Sequence, residues 1–522
     1  MQVNVPPMAT MDLPTSAKVV LPGLVAAWLL KNYVTAQKHL PFPPGPKCYP
    51  LLGNILDMPT EYEWVGAYEM KKKYGDLVFL QVLGKRILFV NSYKMASDLL
   101  EKRSSIYSSR PSSVMMNDLL EWDWFTSNMP YGERWKKHRQ QLHPFLEPSS
   151  VKKYVDRQTR DARMLLRSLL DSPEDFLAHI RKHIGATIMM IAYGHEVESQ
   201  DDPYIKLIEE GIEYVAHAAR PGAFMVEIFP WLKYIPEWVP GADFQRFARE
   251  GREMSINMKL KPFNAVKENV LQGTAQSCIA SDLIEEGRKE NNIIEDEDVI
   301  ANVAGILYAG GADTSVSTLQ TFFLGMVLNP EAKHRAYEEL DRVVGNSRLP
   351  TLDDKPNLPY INAICLESLR YYPVTPLGGP RELSEDDEYE GYLIPKGTMI
   401  VPNVWGIFHD PGEYLDPFAF KPERFLSNEG EKMPLDPIKA AFGFGRRMCP
   451  GRHMALNTIF LNIASILSTF DISPAIGEDG KPSIPSGEYV SNVITYPKPF
   501  KCSLMPRSQR SVELINQLCE DI

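Results

Sequence analysis

The chain is poor in the features that would place it quickly. Its six cysteines among 522 residues, Cys48, Cys278, Cys365, Cys449, Cys502 and Cys519, include no CxxC or CxxH pair. That excludes a zinc module and a disulfide scaffold and points to a reducing compartment. Positive charge is in deficit: 56 Lys and Arg against 67 Asp and Glu leave a formal −11. No global field exists to hold a nucleic acid, so any basic site must be local. There is no GxGxxG fingerprint for a flavin or nicotinamide, no internal repeat and no long low-complexity linker. Long apolar runs are scarce, which excludes a polytopic membrane protein. Hydrophobic residues at 44%, aromatics at 10% and charged residues at 24% are ordinary globular proportions. Proline is the one excess, with 42 residues.

Residues 19–30 carry no charge and stand between Lys18 and Lys31. With both lysines snorkelling, 13–34 makes a helix of roughly 33 Å, enough to span a bilayer. No small-residue cleavage site marks it as a removable signal, so residues 1–40 are expected to be an N-terminal membrane anchor. Pro41-Phe42-Pro43-Pro44-Gly45-Pro46 follows as a stiff proline-rich hinge, 41–46. Residues 47–510 read as one large domain, with 511–522 as a C-terminal tail.

The pattern is mainly α with minor β. Helices are expected over 61–74, 92–103, 132–144, 150–170, 175–193, 204–219, 243–270, 296–328, 330–344, 358–372 and 452–470. Strand-like runs lie at 77–83, 87–91, 398–401 and 489–495. The stretch 296–328 opens on acids, which suit a helix N-terminus, and stops at Asn329-Pro330. It keeps Gly310 and Gly311 in its middle at about 1 kcal/mol each, so a bend or a close approach is expected there. Asp313 and Thr314 follow. They are either a carboxylate and an alcohol turned inward for proton delivery, or a satisfied polar pair at a close helix crossing.

Phe442-Gly443-Phe444-Gly445-Arg446-Arg447-Met448-Cys449-Pro450-Gly451 is a rigid loop before an apolar helix. Amides aimed at one sulfur, with a helix start beyond it, stabilise a thiolate and lower its pKa. Cys449 is therefore a candidate metal ligand or nucleophile, although no partner beyond His453 completes a nucleophilic set. Glu367 and Arg370 share a helix face, and Arg424 in Pro422-Glu423-Arg424-Phe425 offers Glu367 a second cation. Trp135 and Arg139 present an indole N–H and a guanidinium together, which suits an anion.

In this order these blocks resemble the cytochrome P450 haem-thiolate monooxygenases, over about residues 41–507. Pro376-Leu377-Gly378, the run from Glu385 to Tyr392 and Trp405-x-x-x-His409-Asp410-Pro411 resemble the fungal microsomal branch. The resemblance implies the cytochrome P450 fold, a single large domain with an N-terminal anchor. It makes Cys449 the iron ligand of haem b and assigns Trp135, Arg139, Arg381, Phe442 and Arg447 to cofactor binding, the cations at the propionates. Asp313 and Thr314 become the proton-delivering pair, while Glu367, Arg370 and Arg424 become structural.

The implied activity inserts one oxygen atom from O2 into a hydrophobic small molecule, by hydroxylation or epoxidation of a terpenoid, polyketide or alkaloid in secondary metabolism. The alternatives are broad oxidation of aromatic xenobiotics and an isomerase that needs no external electrons. NADPH electrons would arrive through a cytochrome P450 reductase, with cytochrome b5 as an accessory donor. Their dock would be a basic cluster of Arg134, Lys136, Lys137, His138, Arg139, Arg446, Arg452 and His453. The implied location is the endoplasmic reticulum membrane, with a single-pass anchor and a cytosolic catalytic domain; no nucleic acid partner is implied. By resemblance, the pocket draws on 115–125, 219–238, Ala304, Tyr308 and Ala309, 374–377 and 490–493. Within it, 224–232 is either pocket wall or a membrane-dipping patch, and Asp123 is either an amine anchor or an exposed acid.

Overall fold

Helices begin in this chain where the sequence satisfies or removes an orphan N–H. Asp202 accepts from the amides of Tyr204 (2.8 Å) and Ile205 (3.3 Å) to open Pro203–Ala218. Pro203, Pro330 and Pro359 stand in the first turns of their helices, where the missing N–H costs nothing. Gly194 and Gly273 stop Phe176–Tyr193 and Asp243–Gln272 in the left-handed conformation.

The computed structural model describes residues 40–199, 201–220, 222–426 and 433–520. The expected anchor, 1–40, lies outside them but for Leu40. The expected stretch 296–328 is a helix in two pieces, Glu297–Ala312 and Thr314–Leu328, broken at Asp313. It is the only described helix long and apolar enough to cross a membrane, yet every residue from Ser315 to Val327 is buried in protein. It forms the axis of the bundle. Phe176–Tyr193, Pro359–Tyr371 and Arg452–Thr469 pack along it, with Val155–Asp171 outside them. Pro203–Ala218 and Asp243–Gln272 pack on each other, and the second of them on Glu297–Ala312.

The minor β component is a four-stranded sheet in the order Leu77–Val82, Lys85–Val90, Met399–Pro402, Arg381–Glu382. The central pair is parallel, with Ile87 opposite Met399, and the outer pairs are antiparallel. A second sheet pairs Phe470–Ile476 with Cys502–Pro506 and Pro482–Ser483. Neither long strand of this sheet was expected; Pro474 interrupts the first and Pro506 ends the second, which hides the alternation.

Three further expectations change. Residues 489–495 form a loop rather than a strand, held by Ser317 Oγ donating to the Thr495 carbonyl (2.6 Å) and by the Thr495 amide donating to Val374 (3.0 Å). Ile279–Gly287 is an unforeseen helix, because its N-cap is the thiol of Cys278, which accepts from the Ser281 amide (3.3 Å). The boundary at 510 falls inside another helix, Gln509–Glu520, which buries Leu514 and Ile515 against Val155–Asp171. The tail is thus continuous with the domain: an amphipathic face found an apolar neighbour.

Candidate active site

The cysteine loop folds back on itself before its helix starts. The Cys449 amide donates to the Phe442 carbonyl at 2.8 Å, closing the loop from the aromatic to the thiol. Gly445 has φ +51, and a Cβ there would lie 2.3 Å from the Leu100 carbonyl oxygen, so only glycine fits. The amides of Gly451 and Arg452 and the charge of Arg139 favour the thiolate as expected, but burial outweighs them and raises the Cys449 thiol. The expectation of a lowered pKa is corrected: the loop holds a thiol that coordination to a metal would ionise. Among the described residues no group of three or more His, Cys, Asp or Glu can hold a metal.

Beside the thiol lies an unusual concentration of charge. Arg139 donates to the Met448 carbonyl (3.0 Å), Arg381 to Phe444 (3.1 Å), and Arg447 to Ser108 (2.8 Å) and Thr126 (3.3 Å). A fourth guanidinium, Arg110, donates to Ser127 (2.7 Å) and lies against Gly379, where a Cβ would come within 2.5 Å of it. Among the described residues none of the four has a carboxylate partner. Burial, then repulsion by Arg110 and Arg447, pushes Arg381 well below its ordinary range. Burial likewise takes Arg447 to about 9 and Arg110 to about 10. Arg381 Nε is buried without a partner. The Trp135 ring lies under Arg447 (4.6 Å) and Arg139 (5.7 Å). Arg381 and Arg447 are buried and Arg110 and Arg139 half-buried, and uncompensated cations so placed call for an anion. The two propionates of haem, next to a thiol for its iron, meet both demands. Arg110 carries no signal in the sequence, since nothing around Arg110-Pro111 separates it from any other loop arginine.

Opposite Trp135 in the packing, Glu297–Ala312 opens one stripe. Gly310 has nothing within 4 Å of a Cβ position, and Ile306 and Thr314, four residues to either side, are also not buried. Thr314 Oγ1 donates to the Gly310 carbonyl at 3.0 Å across the break. A Cβ on Gly311 would lie 2.6 Å from Ile188 Cδ1, so this glycine serves a close crossing with Phe176–Tyr193. Gly311 thus meets the expectation of a close approach, while the bend falls at Asp313 and not at Gly310, which faces open space. Glu133–Leu146 packs on the same helix and carries Trp135 and Arg139 to the cysteine loop. Asp313 turns the other way and pairs with Arg181 at 2.7 Å.

Other expected residues separate. Tyr308 is fully buried against Tyr193 (6.0 Å) with its hydroxyl donating to the Tyr204 carbonyl, so it does not line the open stripe. Asp123 is an exposed acid paired with Arg134 at 2.6 Å, which leaves no amine anchor. Glu367 and Arg370 are fully buried at 2.6 Å, with Arg424 at 3.3 Å; Arg370 also donates to the carbonyls of Phe408, Pro417 and Ala419. The basic dock is reduced. His138 is buried on Thr126 (2.9 Å) and held down to about 4 by burial, so it is uncharged at neutral pH. Arg139 faces inward, and Arg134, Lys136 and Lys137 pair with Asp123, Glu133 and Asp296.

Residues 43–504 match the family described as Cytochrome P450. A cytochrome P450 monooxygenase of Armillaria gallica is 41% identical over 510 residues, covering 97% of this chain and all of the relative. One of Postia placenta is 40% identical over 484 residues, 92% of this chain and 93% of the relative. One of Coprinopsis cinerea is 41% identical over 486 residues, 92% of each. With the thiol loop, the unpaired cations and the broken axial helix, these matches lead to one conclusion: the chain belongs to the cytochrome P450 family.

Proposed function

We propose that this monooxygenase works at a membrane surface, holds haem b through Cys449, and inserts one oxygen atom from O2 into a neutral hydrophobic molecule with NADPH electrons from a flavoprotein reductase. The observation that carries the reading is the thiol of Cys449 beside four guanidiniums that no described carboxylate neutralises. Haem, when bound, supplies the oxygen chemistry, with a thiolate ligand pushing electron density toward its iron. The protein's own part is placement. Arg110, Arg139, Arg381, Arg447 and the Trp135 indole would hold the propionates. Thr314 keeps a hydroxyl proton on the open stripe, with Asp313 behind it to resupply it. An isomerase that takes no electrons needs no such proton device, so Asp313 and Thr314 favour the monooxygenase.

The buried cluster that holds the inner face of Glu297–Ala312, including Met115, Leu119, Trp122 and Trp124, is apolar, which suits a hydrophobic substrate. Leu51 (97% exposed), Leu56, Trp231, Tyr234 and Trp238 (83%) are exposed on two segments that meet the first hairpin, where Gly53 bridges to Val82 and Lys85 reaches Glu227 at 3.6 Å. Tryptophan and tyrosine suit a bilayer interface. Below them lies an apolar cavity of about 440 Å³ lined by Phe224, Val226, Leu232, Ile235 and Phe244. This favours the membrane-dipping reading of 224–232, with substrate arriving from the lipid. By resemblance, we place the substrate among terpenoids, polyketides or alkaloids and the enzyme on the endoplasmic reticulum. Arg446 and Arg452, near the cysteine, remain as cations for an acidic reductase.

The test is the reduced carbon-monoxide difference spectrum of the full chain in microsomes. A long-wavelength Soret band of the thiolate-ligated kind, abolished in Cys449→Ala, is expected, with NADPH and O2 consumed in step with product. Folded, haem-loaded protein without that band would overturn the assignment of Cys449 and the roles built on it.

A further inference from the structure

The acid next to Thr314 faces away from the open stripe, into a cluster built from three elements. Arg181 on Phe176–Tyr193 donates through Nη1 to Asp313 Oδ1 at 2.7 Å. The same guanidinium brings its Nε to within 3.5 Å of Glu209, on Pro203–Ala218. The two carboxylates differ in their access to water: the Glu209 side chain is 41% exposed and that of Asp313 8%. One arginine is thus shared between an acid that solvent reaches and one that it does not. A cavity with room for about one water lies between them, bounded by Arg181, Glu209, Asp313 and Ala312. Tyr496, from the loop after 489–495, closes the other side. Its ring lies 5.6 Å from the Arg181 guanidinium, and its buried hydroxyl sits within reach of both Asp313 and Arg181. Ion pairs that only fasten helices together do not need a water-sized space beside them.

We propose that Glu209 is a positioning residue that sets how readily Asp313 exchanges protons with solvent, through its claim on Arg181. Ionised, Glu209 keeps part of the guanidinium and leaves Asp313 able to take a proton through the small cavity. Protonated, it releases Arg181 wholly to Asp313 and locks that acid in an ion pair. Only a proton moves, from bulk water to the Asp313 carboxylate. Burial raises Glu209 above the usual carboxylate range; Arg181 opposes the rise, while Asp313, Glu213 and Glu210 add to it, and Lys206 is the other charge on its helix that feels it. The switch therefore acts nearer neutral pH than a free glutamate would.

The inference rests on the assignment of Asp313 and Thr314 to proton delivery, so the experiment separates the two. The haem-loaded full chain with its reductase is assayed for product against peroxide between pH 6 and 8.5, as wild type, Glu209→Gln, Glu209→Asp and Asp313→Asn. Glu209→Gln mimics the protonated state. It should raise the peroxide share at least about fivefold, the lower end of coupling between linked sites, and flatten its pH dependence. Glu209→Asp should restore both. Infrared titration of the purified protein should show a carboxylic acid band that is lost in Glu209→Gln and moves in Arg181→Lys. A wild-type ratio and pH profile in Glu209→Gln, with Asp313→Asn uncoupled, overturns this inference alone, as does an infrared band indifferent to Arg181→Lys. Normal coupling in Asp313→Asn overturns both it and the proton-delivery reading.

Discussion

Arg381 shows most sharply how a single residue can be costly to the bare chain and useful to the complete enzyme. Its guanidinium is buried, one N–H has no partner, and its neighbours Arg110 and Arg447 are cations as well. Arg381→Met should therefore stabilise the haem-free protein, by about 1–4 kcal/mol if it behaves like other replacements of buried charge by apolar groups. Under the proposed assignment the same change would remove a charge-assisted hydrogen bond to a propionate, worth about 1.5–3 kcal/mol, so haem should leave roughly 10- to 100-fold faster. Thermal melts of the haem-free form and transfer of haem to an acceptor protein check the two signs. A haem-free protein destabilised by Arg381→Met would mean the cation is structural. Glu367 and Arg370 are the contrasting case, since each buried charge there has the other as partner and Arg370 spends its remaining donors on carbonyls.

At the level of the element, adjacent glycines on the axial helix have opposite surroundings. Gly310→Ala meets nothing within 4 Å and gains the helix preference of alanine, about 0.5–1 kcal/mol, while its methyl enters the stripe beside Thr314. Unfolding should show equal or higher stability, and turnover should change. Gly311→Ala drives a methyl against Ile188, with 2.6 Å to Cδ1 and 2.8 Å to Cγ1, an overpacking that costs about 1–3 kcal/mol. Ile188→Ala in the same chain should recover most of that loss. Denaturant melts of the three variants decide it. Equal effects of the two alanines would remove the distinction between a glycine kept for space and one kept for contact.

At the scale of the whole molecule, three of the described histidines are packed uncharged. Burial holds His138 and His183 down to about 4 and His409 to about 3. Their unfolded values near 6.5 mean that the unfolded chain binds these protons first. Stability is therefore complete above about pH 6.5 and falls as pH drops toward 4. Asp98 and Asp354, lowered to about 2, chiefly by Lys102 and Arg348, begin to lose their contribution only below about 4. The melting temperature of the haem-loaded chain should decline steadily between pH 6.5 and 4.5. A flat profile there would place those histidines in contact with water.

The sequence by itself determined what depends on local rules and on rigid spacing. Helix positions followed from capping acids, first-turn prolines and apolar periodicity. A break in the axial helix was expected at Gly310 and Gly311 and falls at Asp313, and the cysteine block singled out Cys449 because three glycines and a proline make a rigid loop around its sulfur. What needed the tertiary structure was everything set by encounters between distant segments. Arg110 joined the cation cluster across some 270 residues from Arg381. His138 left the basic face because its side chain found Thr126 and not solvent. Cys278 capped a helix that propensity did not announce, and Asp313 turned from the stripe to Arg181 and Glu209. Burial and charge pairing are sums over neighbours that a linear chain does not order, so candidate residues could be named from the sequence while their partners and states could not.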